Sequence, residues 1–484
     1  MKNKHVILLI LLLPIASAFS QEKLQLSLSE AQNYAIEHNK TLQNARLDVT
    51  LSERKIKETI AQGLPQLDAS LDWMTYFGYE MEFPGFGGGG SYDFTPQQLQ
   101  DATMATLSAF PGNSLIGLQP VTNQDLYNYS AGSYYSGMLQ GMMPPTTIKM
   151  TDASTAKLQV GQLLFSGQYW TGIKVARLGK KIAEQGLENS ILDIKESVTS
   201  TYMMALVTAQ TIETFKKNIE NLKQIKGHTE NMFTTGMAEQ TDVDQISIQV
   251  TMLENTQRSM ERGLQMIYSM LKFQLGLETN DELTLADSIE TVIAKTNPTN
   301  SVQTFDITNN IVFKLMETQE SLTEKMVDMQ KMAFAPTITG FYAYNQKLLT
   351  TGFDMTPNHV AGVTMSLPLF SGGKRNHQLA QAKIQLNKVQ INKSMVEEQL
   401  AIQQKQLQLD LKTAIENYNS QKDNVEVARR VYANIQNKFK QGVASSLDLT
   451  QSNNNYLQAE SGYIQSILSL LQAKVALDKL HNQL

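Results

Sequence analysis

The stretch GQLLFSG, Gly161–Gly167, returns later in the chain as SLPLFSG, Ser366–Gly372. Four matching letters alone decide nothing, but the surroundings repeat as well. MFTTGMAEQTDVDQ (Met232–Gln245) follows the first copy and KFKQGVASSLDLTQ (Lys438–Gln451) the second. Both read F-x-x-G-x-A-x-x-x-D, from Phe233, Gly236, Ala238 and Asp242 to Phe439, Gly442, Ala444 and Asp448. The offset is 205 residues from Gly167 to Gly372 and 206 from Gly236 to Gly442. Upstream, GLPQLDAS (Gly63–Ser70) answers FAPTITG (Phe334–Gly340), with Asn39 and Asn310 each 26 residues before the matched Pro65 and Pro336. One unit is therefore written twice. Proline to LFSG spans 100 residues in the first copy and 34 in the second, so the first carries a 66-residue insertion. The expected division is 1–20 as a processing segment, 21–300 as repeat 1 and 301–484 as repeat 2.

The period of the sequence changes along each unit. Ile191, Val198, Ala205, Ile212 and Ile219 fall seven apart, with Ile194, Phe215 and Leu222 three later. That is a helix packing along a seam. It runs from about Tyr169 to Phe233, too long for a compact domain. In the second unit a matching helix runs from about Lys374 to Phe439, through Leu400, Leu407, Leu411, Ile415 and Tyr418. Its other positions are largely neutral and polar, which fits a solvated face or the lining of an aqueous pore. Gly236 and Gly442 stand where these helices would stop, since glycine takes the left-handed conformation at little cost. A second helix follows each, from Asp242 to about Leu277 and from Leu447 to about Leu480. Thr241 or Asp242, and Ser446 or Asp448, are its candidate caps or first-turn residues.

Between proline and LFSG the period is two. Leu67, Ala69, Leu71 and Trp73 alternate with Asp68, Ser70 and Asp72, and Ala156, Leu158 and Val160 alternate with Lys157 and Gln159. Ile338, Tyr342 and Tyr344 share one face, as do Ala361, Val363, Met365, Leu367 and Leu369. These read as four strands, each with one apolar side. Four strands do not close a barrel, which needs about eight or more. Their edges close if chains pool them; a dimer or a trimer satisfies the arithmetic.

Composition bounds the setting. Residues 1–20 begin with Lys2, Lys4 and His5, continue through VILLILLLPIASAF and end in small residues, the pattern of an export signal. There is no cysteine, and removing Lys2 and Lys4 leaves 39 basic against 46 acidic residues, which disfavours nucleic acid as a partner. Outside this segment no run approaches 18 apolar residues, leaving periplasm, secretion or an outer-membrane β-barrel.

The duplicated order resembles the outer membrane efflux protein family, the TolC-like channels. The likeness rests on the helix LSLSEAQNYAIEHNKTLQNARLDV (Leu26–Val49), the GLPQL strand start, both LFSG corners and both F-x-x-G turns. It implies a mainly α fold with a β-barrel portion. Three chains would pool four strands each into a 12-strand outer-membrane barrel, with long α-helical hairpins forming a periplasmic α-barrel. It further implies an exit duct working as a homotrimer in outer-membrane lipid, with a periplasmic adaptor and an inner-membrane transporter, and no cofactor. By position, Gly236, Met237, Ala238, Gly442, Val443, Ala444 and Ser445 become the periplasmic tip that docks the adaptor. Phe233, Asp242, Phe439, Asp448 and Gln451 become the aperture or gate. The family's described lock pairs an aspartate with an arginine and a tyrosine near the second turn; here Phe439 lacks the hydroxyl and Ala444 stands in the arginine's place. A gate of packing or polar contacts is expected instead, and both aspartates also read simply as helix-start residues.

Residues about 79–150 form the insertion, rich in Gly, Tyr and Met, expected as an extracellular loop. Catalytic patterns are missing: the six histidines are scattered, and no G-x-S-x-G, H-E-x-x-H or phosphate loop occurs. Two other readings stand beside a drug or toxic-solute duct. One is protein secretion through the same architecture; the other is a coiled-coil scaffold without a channel, which leaves the four amphipathic strands unexplained.

Overall fold

A computed structural model describes residues 24–83, 146–149, 151–296, 305–349 and 357–484. The expected signal segment 1–20 and most of the expected 79–150 insertion lie outside the described residues. In chain order the elements are β1 (Leu24–Leu26), α1 (Leu28–His38), α2 (Lys40–Ala61), β2 (Gln66–Met74), β3 (Glu80–Phe83), β4 (Thr146–Lys149) and β5 (Ala153–Ser166). There follow α3 (Gly167–Thr234), α4 (Gln240–Leu275), β6 (Leu283–Leu285), α5 (Ile289–Thr296) and α6 (Ile311–Met332). The chain ends with β7 (Thr337–Leu349), β8 (His359–Ser366), α7 (Lys374–Lys440) and α8 (Ser446–Leu480). The described residues fall into two compact units: those within 62–166 and 336–367, which hold the strands β2 to β5, β7 and β8, and the others, which hold the helices together with β1 and β6.

In the helical unit α3 has 68 residues and α7 has 67, about 100 Å each at the standard rise. Helices this long are held by seams, not by one core. The heptad residues Val198, Ala205, Ile212 and Ile219 of α3 are buried, as expected of the seam. One cluster joins Phe215, Ile219, Leu222 and Ile225 of α3, Ile246 and Val250 of α4, Tyr432 and Phe439 of α7, and Leu449 and Leu457 of α8. Near the turns α3 packs on α4 and α8, and α8 packs on α7; farther away α3 packs on α2 and α6, and α6 on α7.

Polar ties set the register of these seams. Asn218 donates Nδ2 to Asn453 Oδ1 at 2.8 Å, both residues buried. Asn221 donates to the Tyr432 hydroxyl at 2.9 Å and accepts from Gln436 at 2.6 Å. Burial pushes the Tyr432 phenol up to about 12, with the stacked Tyr456 beside it. Such buried polar groups hold one alignment, because any slip leaves them unpaired.

A parallel pair, β1 with β6, is a feature the sequence reading missed; each strand has only three residues and no alternation to detect. The fully buried Tyr202 of α3 fastens it, donating its hydroxyl to Leu26 O at 3.0 Å and accepting Asp287 N at 3.3 Å. Asp287 in turn accepts the backbone N–H of Leu28 at the start of α1.

The other unit is a four-stranded sheet in the order β2-β5-β7-β8, every pairing antiparallel. β3 and β4 form a separate antiparallel pair. The register places Leu67, Ala69, Leu71 and Trp73 of β2 beside Val160, Leu158, Ala156 and Ser154 of β5. Continuing across, Val160 and Leu158 face Tyr342 and Tyr344 of β7, which face Ala361 and His359 of β8. One face of the sheet is thus mainly apolar and aromatic, with Gln162, Gln346 and His359 among its residues, and the other is mainly polar, with Phe341 on it.

The two LFSG corners differ. β5 runs through the first copy to Ser166 and α3 starts at Gly167, where a Cβ would meet Met332 Sδ at 2.8 Å. β8 stops at Ser366, so Leu367 and Leu369, expected in the strand, lie beyond it. Pro368 has no N–H to give the ladder. Arg375 instead holds the segment, donating to Pro368 O at 2.7 Å and Ser371 Oγ at 3.0 Å.

Candidate functional site

The residues singled out by the duplicated motif form two turns at one end of the helical unit. Each is built the same way. In the first, Gly236 has φ 75° and donates to Phe233 O at 3.0 Å, while Met237 N reaches Met232 O at 2.8 Å. In the second, Gly442 has φ 75° and donates to Phe439 O at 2.9 Å, while Val443 N reaches Lys438 O at 2.9 Å. This paired bonding around a left-handed glycine ends a helix and sends the chain back.

Each following helix opens with an aspartate three residues past the cap. Ser445 is the cap of α8: its hydroxyl accepts Asp448 N at 3.1 Å, and Asp448 accepts Ser445 N at 3.1 Å and Ser445 Oγ at 2.7 Å. These donations hold the Asp448 carboxyl below the usual carboxylate range. On α4, Asp242 accepts Glu239 N at 3.0 Å. Both aspartates therefore are helix-start residues, as one of the two sequence readings had them. The N-cap positions are held by Glu239 and Ser445, of which Ser445 caps with its side chain, and Asp242 and Asp448 stand in the first turns.

Ser446, considered as a cap, has another role. It is buried and donates its hydroxyl across to Asp242, with Gln245 Oε1 at 3.3 Å from the same oxygen. The start of α8 is thereby tied to the start of α4. Periodicity and motif matching do not reveal this contact, because it pairs the last position of one motif with a serine that has no counterpart in the other.

The remaining residues divide by exposure. Met237 and Val443 at the turns are 70% and 72% exposed, and Leu447 and Phe233 are exposed beside them. Gly236 and Gly442 have open space around the position of a Cβ. Ala238 and Ala444 are half-buried, Ala444 against the seam core. Phe439 is 4% exposed and belongs to that core, so it is not at the surface with Phe233. Gln451 is exposed and donates to Asn455 at 3.0 Å. The ends of these hairpins thus offer an apolar surface on a polar, capped frame.

A cavity of about 280 Å³ lies elsewhere in the helical unit, where α3, α6, α7 and α8 meet. Its ammonium, Lys479, is held by Asp193 at 2.6 Å and Glu196 at 2.7 Å, so its charged lining is internally paired. Among the described residues no group of His, Asp and Glu is arranged to hold a metal, and no helix is long and apolar enough to cross a membrane.

Residues 308–483, the span from the turn before α6 to just past α8, match the family model of the outer membrane efflux protein. Solved structures align over far more of the chain. The Campylobacter jejuni CmeC outer membrane channel aligns with a TM-score of 0.67 at 13% identity, covering 94% of this chain and 85% of that one. The outer membrane protein VceC of Vibrio cholerae aligns at 0.64 and 14%, covering 94% and 96%. The open state of the Neisseria gonorrhoeae MtrE outer membrane channel aligns at 0.65 and 12%, covering 94% and 88%. No curated protein matches the chain by sequence. The fold is that of the TolC-like outer membrane channels.

Proposed function

We propose that this protein is one subunit of a homotrimeric exit duct in the outer membrane. It would pass drugs or toxic solutes outward from a periplasmic adaptor and an inner-membrane transporter that supplies the energy. The observation that carries this reading is the sheet. Four strands present one mainly apolar face and one mainly polar face, and among the described residues nothing pairs with the outer edges of β2 and β8. Three successive antiparallel pairings make β2 and β8 run in opposite directions, so β8 of one copy continues the ladder onto β2 of the next. Repetition then closes a barrel with apolar residues toward lipid and polar residues toward water.

The helices support the same assembly. α7 carries an exposed apolar row, Ile384, Ile391, Met395, Ile402 and Leu409. At the opposite edge of the layer α4 exposes Ile248, Met252, Met266, Met270 and Phe273, and α2 exposes Leu47 and Leu51. Two unlike apolar edges on one subunit fit a head-to-tail ring. The division at 21–300 and 301–484 then assigns each repeat one hairpin of the duct and two strands of the barrel.

In this reading the glycine turns face the periplasm and dock the adaptor through Met237, Ala238, Val443, Ala444 and Ser445. Asp242, held by Ser446, and the capped Asp448 border the aperture with Phe233 and Gln451, while Phe439 stiffens the tip from within. The cargo reading is tested by dye accumulation in cells lacking the gene. Accumulation that rises and is reversed by complementation supports solute efflux. Unchanged accumulation, with a protein missing from the culture medium, would replace it with protein secretion.

A further inference from the structure

The register assigns every Asp and Lys of the four-stranded sheet to a single face. Asp68 and Asp72 lie on β2, Lys157 on β5 and Lys347 on β7. The pairings Ser70–Lys157–Asn345 and Asp72–Thr155–Lys347 put them all on the polar side. On this face β8 contributes only Val360, Gly362, Thr364 and Ser366, none of them charged. The apolar face holds no carboxylate and no ammonium. No described residue forms an ion pair with Asp68, Asp72 or Lys157; Asp72 accepts only the Ser70 hydroxyl, at 3.3 Å.

These charges are balanced in number and separated in place. Two acids share one strand, and the two bases stand on the next two strands, within two residue rows of them. We infer that Asp68, Asp72, Lys157 and Lys347 set the ion preference of the exit barrel, and that their balance lets it pass solutes of either charge. The inference rests on the trimeric-barrel reading, in which this face lines the lumen. There, alternating acidic and basic columns meet a solute with opposing fields that cancel at a distance. Removing one sign leaves the other uncompensated. At about 10 mM salt the screening length is about 30 Å, so an uncompensated wall charge acts across the lumen.

The test is the reversal potential of purified trimer in planar bilayers under a potassium chloride gradient at low salt. Asp68→Asn with Asp72→Asn should turn the channel toward anions, and Lys157→Gln with Lys347→Gln toward cations. Each should shift the permeability ratio by about twofold or more, in opposite directions, and combining all four should restore the wild-type ratio. The single changes Asp72→Asn and Lys157→Gln give smaller shifts of the same signs and serve if a double variant inserts poorly. Conducting variants whose ratios stay at the wild-type value would overturn the inference and leave the duct intact. A wild-type trimer that does not conduct would instead remove the duct, and with it the lumen these residues are said to line.

Discussion

Asn39 and Asn310, 271 positions apart, make the same three hydrogen bonds. Asn39 Oδ1 accepts Thr41 N at 2.8 Å and Leu42 N at 3.2 Å, and its Nδ2 donates to Gln274 O at 2.7 Å. Asn310 Oδ1 accepts Val312 N at 2.9 Å and Phe313 N at 3.3 Å, and its Nδ2 donates to Leu480 O at 2.9 Å. Each asparagine is 4% exposed, starts the helix leading to a strand, and ties it to the last turn of a returning hairpin. One side chain thus serves as cap and clasp in both repeats. Asn39→Ala or Asn310→Ala should each cost about 1–3 kcal/mol, because a cap is lost and a buried carbonyl is left unpaired. Asn→Asp keeps the acceptor, loses the donor and should retain part of the stability. Denaturation midpoints in detergent check this; unchanged midpoints for both alanine variants would contradict it.

Ser446 and Asp242 tie the two hairpins at their ends. Ser446→Ala should leave folding intact and loosen the turns. Amide exchange around 236–246 and 442–449 should quicken by about fivefold to tenfold, the worth of one net hydrogen bond. If the tie restrains the aperture, the open fraction in bilayers should also rise. Exchange confined to wild-type rates would show that the contact carries no load.

Two left-handed glycines invite a graded comparison. Gly442→Ala meets open space and bears only the backbone penalty of φ 75°, about 1 kcal/mol. Gly276, at φ 79° after α4, would place a Cβ 2.4 Å from His38 O. Gly276→Ala should therefore lower the yield of folded trimer much more than Gly442→Ala. Equal yields would refute the steric argument.

His481 follows α8 beside Phe305, with ring centroids 5.2 Å apart. Burial, followed by the influence of Lys474, outweighs Asp478 and lowers its pKa below the ordinary imidazole value. The unfolded chain then takes up the proton first as pH falls. Its contribution is present in full above about pH 6.5 and is lost as pH drops toward the folded value. Lowering the pH from neutral to about 5 should destabilise wild type more than His481→Gln, measured as the difference in thermal midpoint. Parallel pH profiles would rule it out.

Much of the fold was legible because it is periodic. Heptads such as Ile191 to Ile219 and alternations such as Leu67 to Trp73 report one packed side each, and the observed helices and strands follow them closely. What escaped depends on contacts between distant segments. The β1–β6 pair is too short to show a period, Tyr202 looks like any helical aromatic, and Pro368 ends β8 early against the pattern of its neighbours. At the turns the glycines and aspartates were readable, since their backbone demands are local. The bond from Ser446 to Asp242 was not, because it joins residues 204 apart. Phe439 likewise shares a motif position with Phe233 but not its exposure, which only the packing of four helices decides.

The central claim is that these strands close a water-filled barrel among several copies. The direct measurement is single-channel recording in planar bilayers on detergent-extracted protein whose mass has been determined. A trimer that inserts and conducts in discrete steps is the predicted result. A monomer that extracts without detergent and gives no conductance would contradict it, and would return the long helices to the role of a scaffold.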